Sequence, residues 1–528
     1  MGKKMKNGKW KTENSSAASV VGKPRGYSVS TCLFFAVCFL TFVFSSASAQ
    51  TEMPPAPSAP KAVSVPAVKE KKLPNGLTVA VVERKNVPLV TIQLFIGNGA
   101  NSEDSEKAGL ANMTAELLTK GTRTRTATQI AEQLEFLGGS INTGADWNKS
   151  VITVSIMSDK LNQAMAIMAD VVLNPAFKQS EIDLLKSQTL DGLAYNLKQP
   201  GFLTNYVAGS YAFNEHPAGG TPESISDLKR QDFVEFKRGQ YLPQNAVLIF
   251  TGDISMLQAN AAARRYFGLW KNPPPVIMGE IFQAMDESPR VAENADTPLP
   301  AFKRILVIDL PNSGQSSVSY LKYVEYGRNQ INDTNESVSE PNYFNAIVLN
   351  SILGGGYSSR LNQEIRIKRG LSYGAGSSFA WRGYISNFAT RTQTKNESAA
   401  EVAELVLAEI KKLGDSSAAA GELVSRKSVL TGNFGRDLET NEGLATAIAD
   451  LYSFGLPTAE LNSYTKNVQA VTDAQVRDFA KSNLIGGDII IVGDYAKFKD
   501  DLAKRFPNMP IAVVKADELD LSKDDLRK

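Results

Sequence analysis

The sequence predicts a protein of mixed strands and helices that is built from two similar halves. Residues 245–267 and 488–506 share one pattern, in which a buried apolar strand precedes a Gly-Asp pair and an amphipathic helix. Residues 271–300 are rich in proline and show little hydrophobic periodicity, which is typical of a linker. A chain of 528 residues is also too long for one ordinary domain. We therefore expect two halves of about 220 residues each.

In the first half, the turn signal Asn75-Gly76 is predicted to precede a pair of neighbouring strands. Helical and strand-like periodicity then alternate along the chain. The predicted elements are strands at 77–82 and 90–96, helices at 110–118 and 128–137, strands at 141–143 and 150–156, helices at 160–172 and 180–196, a buried strand at 245–254, and a helix to Phe267.

After the linker the same order is predicted again. The elements are strands at 304–309 and 316–323, helices at 342–352 and up to Gly370, strands at 373–380 and 387–393, helices at 399–412 and 420–430, and a strand at 488–494 followed by a helix. We expect Gly354, Gly355 and Gly356 to end the helix at 342–352, because only glycine takes positive φ at no steric cost. Ser358 or Ser359 is expected to cap the next helix.

The N-terminus has the features of a secretory signal peptide over residues 1–49. A basic region precedes an apolar run at 32–44, and small residues at 47–49 offer a cleavage site. The alternative is a retained membrane anchor, but the apolar run is short for a bilayer span. Residues 50–68 predict an extended Pro/Ala-rich tether. Both cysteines lie in the leader, so the exported chain would have no disulfide, which favours a periplasmic location, with membrane attachment if the leader is retained.

The composition is that of a globular protein, with 43% apolar and 21% charged residues. Its net charge is +2, and the leader contributes seven basic side chains and one acidic side chain, so the remainder has a net charge of −4. A mildly acidic body without a basic stripe argues against nucleic-acid binding.

Arg366 and Tyr373 lie on either side of one predicted chain reversal, where a guanidinium and a phenol can converge on one point. Such a pair can donate hydrogen bonds to a developing oxyanion or to a peptide carbonyl. By residue type alone, a solvated helix-end cation and a core aromatic residue are the commoner interpretation. A phosphate-binding loop at the preceding glycines is disfavoured, because no Gly-Lys-Ser/Thr follows them.

The segment 351–376 resembles the C-terminal half of the pitrilysin/insulinase family of zinc peptidases. Further matches at 73–77, 241–253 and 304–316 extend the resemblance over residues 68–506. It implies an α+β fold of two homologous halves, each an antiparallel sheet packed with helices, which together form a clam-like chamber. The implied halves span residues 69–270 and 301–510, and residues 511–528 remain as a charged C-terminal tail.

The resemblance also implies a His-x-x-Glu-His zinc motif on the helix that ends at residues 120–122. Aligned on that end, the chain has Asn112 and Glu116 at the two histidine positions and Ala115 at the position of the base. Asp191 is at best an approximate third ligand, so Glu116 and Asp191 could hold some cation, although a polar helix face is the commoner arrangement. The lone histidine, His216, cannot form a zinc site and is expected to be a hydrogen-bonding loop residue. The chain alone should therefore not be a zinc peptidase.

Three functions remain open from the sequence. The first, implied by the resemblance, is an exported non-zinc subunit of a heterodimeric metallopeptidase that acts on peptides or unfolded proteins, with zinc bound only by the homologous partner. Arg366 and Tyr373 would then be catalytic. The implied substrate-binding residues are Gly354, Gly355, Gly356, Ser140, Ile141, Asn142 and Thr143. The second is an inactive scaffold or peptide-binding protein, in which residues 140–145 are an ordinary edge strand. The third, a hydrolase with another site, lacks a Ser/His or Cys/His set.

Overall fold

A computed structural model describes residues 64–272 and 304–528, except 333, 417, 522, 524 and 525. The predicted signal peptide, residues 50–63 of the predicted tether and nearly all of the predicted linker lie outside this part. Within the described residues, no helix is both long and apolar enough to cross a membrane.

The first half contains six strands and eight α-helices among the described residues. The strands are β1 (Lys69–Lys72), β2 (Thr78–Glu83), β3 (Leu89–Ile96), β4 (Ser140–Ala145), β5 (Ser150–Met157) and β6 (Ala246–Gly252). The helices are α1 (Leu110–Leu117), α2 (Ala127–Phe136), α3 (Leu161–Leu173), α4 (Gln179–Asn196), α5 (Pro200–Phe213), α6 (Pro222–Asp227), α7 (Arg230–Gln240) and α8 (Met256–Phe267). Every element predicted for this half is present with its ends shifted by a few residues, whereas β1 and α5 to α7 were not predicted.

The strands of the first half form one sheet in the order β1-β2-β6-β3-β5-β4. The predicted pairing of the strands at 77–82 and 90–96 is wrong, because β6 lies between them and runs parallel to β2 and antiparallel to β3. All seven residues of β6 are buried, as expected for an apolar strand with neighbours on both sides. The turn at Asn75-Gly76 instead joins β1 to β2 as an antiparallel hairpin.

The second half repeats this organisation. Its strands are β7 (Ile305–Asp309), β8 (Ser316–Val324), β9 (Asn329–Ile331), β10 (Ser337–Ser339), β11 (Ser372–Trp381), β12 (Ser386–Thr394), β13 (Asp488–Gly493) and β14 (Ile511–Lys515). The helices are α9 (Asn342–Leu353), α10 (Ala399–Asp415), α11 (Ala420–Glu439), α12 (Asn441–Ser453), α13 (Tyr464–Ala470), α14 (Asp473–Asn483) and α15 (Lys499–Arg505), and a π-helix spans Asn362–Lys368.

The main sheet of the second half has the order β11-β12-β8-β13-β7-β14. Strands β13 and β14 run parallel to β7, so both sheets are mixed and the expectation of wholly antiparallel sheets is corrected. The prediction of a charged tail at 511–528 is wrong, because β14 completes this sheet and Leu526 is buried. Strands β2 to β6 correspond in order and position to β7, β8, β11, β12 and β13, so the predicted two-half α+β architecture is confirmed.

Each sheet packs its own helices on one face and a helix of the other half on the opposite face. Helix α12 covers the first sheet and α5 covers the second. In the first of these clusters, Leu444, Ile448 and Ala449 pack against Ala80, Val82, Val247 and Ile249. In the second, Leu203 and Val207 pack against Leu306, Ile308, Leu321, Ile490 and Val492. The halves therefore bury apolar surface against each other.

The last residues of the predicted tether also belong to the fold. Val65 is buried in the cluster around α12, and its backbone N–H donates to Asn462 Oδ1 at 2.8 Å. The chain thus enters the first half through a contact with the second half.

Candidate functional site

Arg366 lies in the π-helix that follows the glycine-rich turn. The helical conformation starts at Arg360, and neither predicted cap is made, because the Ser358 hydroxyl accepts from the Arg426 guanidinium and the buried Ser359 hydroxyl has no partner. The Arg366 guanidinium lies 5.0 Å from the centre of the Tyr357 ring, a cation–π contact. Among the described residues, no carboxylate lies within ion-pair distance of it, so its N–H donors are available to a ligand.

The glycine-rich turn passes very close to strand β11. Gly354 has φ −146°, and none of Gly354, Gly355 and Gly356 has positive φ, so the predicted reason for these glycines is wrong. A Cβ on Gly354 would lie 2.2 Å from the Ser377 backbone nitrogen, which donates to the Gly354 carbonyl at 3.1 Å. Glycine is required at 354 because the backbones touch. A substrate-binding role for the three glycines stays a prediction.

Tyr373 lies on a β-bulge at the start of the edge strand β11. Ser372 pairs with Thr394 and Ala375 pairs with Thr392, so β11 contains one residue more than its partner over this stretch. A bulge of this kind redirects a side chain away from the regular alternation of a strand. The Tyr373 side chain is 89% exposed, which corrects the alternative of a core aromatic residue.

Arg366 and Tyr373 thus display a guanidinium and a phenol on the two sides of the reversal at Gly370. Gly370 has φ +65°, and its N–H donates to the Arg366 carbonyl at 3.0 Å, which ends the helix. Within the described residues, no hydrogen bond joins Arg366 to Tyr373, and neither side chain has a polar partner. Two free donors at one turn can bind an anionic or carbonyl oxygen.

The helix that should carry zinc ligands instead carries a hydrogen-bonded pair. Asn112 Nδ2 donates to Glu116 Oε1 at 3.0 Å, and Asn112 Oδ1 lies 3.5 Å from the Ala145 backbone nitrogen on β4. Ala115 is fully buried. Across the described ranges, no three His, Cys, Asp or Glu side chains are grouped as metal ligands, and Asp191 makes no hydrogen bond to Glu116. One amide, one methyl group and one carboxylate do not fit a zinc site.

Strand β4 is the outer strand of the first sheet. It pairs only with β5, so its other edge has no strand neighbour among the described residues. Ser140 and Asn142 are exposed, and Ile141 and Thr143 are partly buried. A free edge of this kind can accept an extended peptide as an added strand. Binding of substrate by these four residues stays a prediction.

Glu103 and His216 form a buried pair that sequence reasoning did not identify. The Glu103 side chain has no exposed surface, and its carboxyl accepts from the backbone N–H of Gly109 at 2.8 Å and of Ala111 at 2.5 Å. Burial raises the pKa of Glu103 to about 8, against the hydrogen bonds from the start of α1, which lower it. His216 Nδ1 lies 3.7 Å from Glu103 Oε1. The two residues are 113 positions apart, so no local pattern links them.

The hairpins β4–β5 and β11–β12 each lie at the edge of a sheet, and their turns, called here the hairpin tips, contact each other beside this pair. Trp147, in the turn between β4 and β5, lies 5.1 Å from the His216 ring and 5.2 Å from the guanidinium carbon of Arg382, in the turn after β11. Arg382 is also paired with Glu215. Tyr373 lies at the far end of β11, eight residues from Trp381, or about 26 Å along the strand. No hydrogen bond, ion pair or ring contact of the described residues joins Arg366 or Tyr373 to the Asn112 helix.

Two models of one peptidase family together match more than half of the chain. The model described as "Insulinase (Peptidase family M16)" matches residues 78–210, and the model described as "Peptidase M16 inactive domain" matches residues 227–429. An uncharacterized zinc protease of Rickettsia bellii is 29% identical over 317 residues, which are 58% of this chain and 68% of that protein. The uncharacterized zinc protease YmxG of Bacillus subtilis is 22% identical over 71% of this chain and 85% of its own length.

Solved structures show the same fold. A peptidase M16 inactive domain from Pseudomonas fluorescens has a TM-score of 0.68 at 24% identity, over 81% of this chain and 98% of its own. A protease from Helicobacter pylori has a TM-score of 0.72 at 18% identity, over 81% and 100%. The periplasmic protease PqqL of Escherichia coli has a TM-score of 0.63 at 15% identity, over 86% of this chain and 52% of the PqqL chain.

Proposed function

The chain belongs to the insulinase family of peptidases, peptidase M16, and from that premise we propose that it is the non-zinc subunit of a two-chain metallopeptidase. The observation that supports this role most directly is the contrast between the two halves. Arg366 and Tyr373 are displayed without polar partners, whereas Asn112 and Glu116 are bonded to each other at the positions where a zinc peptidase has its histidines. One half of an active site is thus kept and the other half is lost.

The Arg366–Tyr373 pair lies far from the helix of Asn112, which favours a role for the pair in an active site shared with a second chain. Tyr373 lies at the end of β11 that is remote from the junction of the hairpin tips, whereas the Asn112 amide oxygen lies 3.5 Å from the Ala145 backbone nitrogen, at the end of β4 next to that junction. We therefore assign Arg366 and Tyr373 to an active site completed by a homologous partner that carries the zinc. The partner would supply the activated water, and the two side chains of this chain would donate to the carbonyl oxygen on which negative charge develops.

The substrate of the assembly would be a peptide or an unfolded protein. The free edge of β4 is suited to binding the peptide main chain, because unpaired N–H and C=O groups of an edge strand can extend a sheet. Export to the periplasm, predicted from residues 1–49, is part of this proposal. An inactive scaffold is the outcome that would follow if the two side chains proved dispensable.

The experiment is cleavage of an internally quenched peptide library by the purified chain, by its homologue with a His-x-x-Glu-His motif, and by their mixture. We expect activity only in the mixture, because each chain holds part of the site. Arg366→Ala and Tyr373→Phe should each lower kcat/KM by about 10²- to 10³-fold, the usual cost of deleting one oxyanion donor. Arg264→Ala, at an exposed arginine of α8, is the matched control and should have no effect.

Full activity of both variants in the mixture would overturn the active-site role and leave a scaffold. Cleavage by the purified chain alone, abolished by a zinc chelator, would show that the interpretation of Asn112, Ala115 and Glu116 is wrong.

A further inference from the structure

The glycine-rich turn, the π-helix and the bulge of β11 are joined by one side chain, that of Asn362. It is 4% exposed and lies at the first position of the π-helix. Its Nδ2 donates to the Tyr357 carbonyl at 2.5 Å, and its Oδ1 accepts from the Ala375 backbone N–H at 3.2 Å. Both functions of the amide are therefore used, one toward each side of the site.

Each bond of Asn362 leads to one of the two displayed donors. Tyr357 is the residue whose ring lies against the Arg366 guanidinium, and Ala375 is the first regularly paired residue after the bulge that carries Tyr373. Arg366 also lies in the same π-helix, four residues after Asn362. The Asn362 amide thus fixes the distance between Tyr357, whose ring contacts Arg366, and the part of β11 that carries Tyr373.

Two other hydrogen bonds hold the chain before and after Tyr357. The Ser377 hydroxyl donates to Asn350 Oδ1 at 2.7 Å, and the buried Arg426 donates to the Ser358 hydroxyl at 3.0 Å. The first of these bonds holds α9 just before the turn and the second holds the turn at Ser358, whereas the Asn362 amide holds it at Tyr357.

We propose that Asn362 is a positioning residue, which holds Arg366 through Tyr357 and Tyr373 through Ala375 in the geometry needed to bind one oxygen atom. This inference rests on the proposed function for its consequence in catalysis, but the positioning itself is a property of the isolated chain. Preorganised donors lose effectiveness when misplaced by about 1 Å, with a cost of about 10²-fold.

The first test uses the purified chain labelled with 3-fluorotyrosine and observed by ¹⁹F NMR, with the signals of Tyr357 and Tyr373 assigned by Tyr→Phe substitution. Asn362→Ala should shift or broaden both signals and leave the other tyrosine signals unchanged. Asn362→Asp keeps an acceptor for the Ala375 N–H and loses the donor to Tyr357, so only the Tyr357 signal should move. The control is Asn483→Ala, which removes an amide that donates to the Phe479 carbonyl at the end of α14.

The second test measures peptide cleavage in the mixture with the zinc-motif homologue. Asn362→Ala should lower kcat by about 10- to 100-fold with KM changed less than about threefold. In the Arg366→Ala, Tyr373→Phe background it should cause no further loss, because the residue acts through those two. Unchanged Tyr357 and Tyr373 signals, or an undiminished loss in that background, would overturn the inference. If Arg366→Ala and Tyr373→Phe both leave cleavage intact, the proposed function fails, and the NMR result alone decides whether Asn362 positions the pair.

Discussion

Glu103 accepts two backbone N–H groups at the start of α1, and its side chain is completely buried beside His216. Because burial raises its pKa from the usual 4.5 to about 8, the folded protein keeps a proton that the unfolded chain releases between these values. The free energy of unfolding should therefore fall as pH rises from about 5 to about 8, by at most about 5 kcal/mol, and then level off.

Glu103→Gln tests this expectation by urea denaturation between pH 5 and 9. The variant should lose this component of the pH slope, although its absolute stability falls because the amide oxygen can accept only one of the two N–H groups. His216→Phe should keep most of the slope, because desolvation of Glu103 is the main cause of the shift. Equal slopes for the wild-type protein and Glu103→Gln would contradict the assignment.

At the scale of single elements, the glycine-rich turn and β11 act as one unit because their backbones touch at Gly354 and Ser377. Gly354→Ala should lower the free energy of unfolding by about 1–3 kcal/mol, since the added methyl group overlaps a backbone nitrogen that cannot move independently. Thermal unfolding measures this cost. Gly421→Ala in α11, where an added Cβ meets nothing within 4 Å, should be neutral or stabilising. A neutral Gly354→Ala would show that the turn can separate from the strand.

At the scale of the whole molecule, stability depends on the exchange of helices between the halves. Leu444 in α12 is fully buried against the sheet of the first half, so Leu444→Ala should cost about 2–5 kcal/mol. Hydrogen exchange should show faster exchange in β6, which is about 190 residues away in sequence. Val424→Ala, at a half-exposed position of α11, is the control and should change stability by less than about 0.5 kcal/mol. Unchanged protection of β6 would mean that the halves are stable independently.

Several features of the fold and site could be predicted from local sequence. The strands β2, β3, β5, β6 and β13 were recognised because each is a short apolar run bounded by turn signals, which depends on neighbouring residues only. The duplication was inferred because two such runs, at 245–254 and 488–494, are each followed by an amphipathic helix. The position of Arg366 and Tyr373 around Gly370 is also local, because a helix end and a strand start lie within eight residues.

The sequence by itself thus determined strands β2 to β8 and β11 to β13, the two-half organisation, the reversal that carries Arg366 and Tyr373, and the absence of imidazoles from the helix of Asn112. Only the tertiary structure decided that β6 separates β2 from β3, that residues 511–515 complete a sheet, and that α5 and α12 exchange between halves. It also decided that Gly354 lies against the backbone of β11 and that Glu103 lies next to His216. The physical reason is that hydrophobic patterns encode which face of an element is buried but not which distant surface buries it.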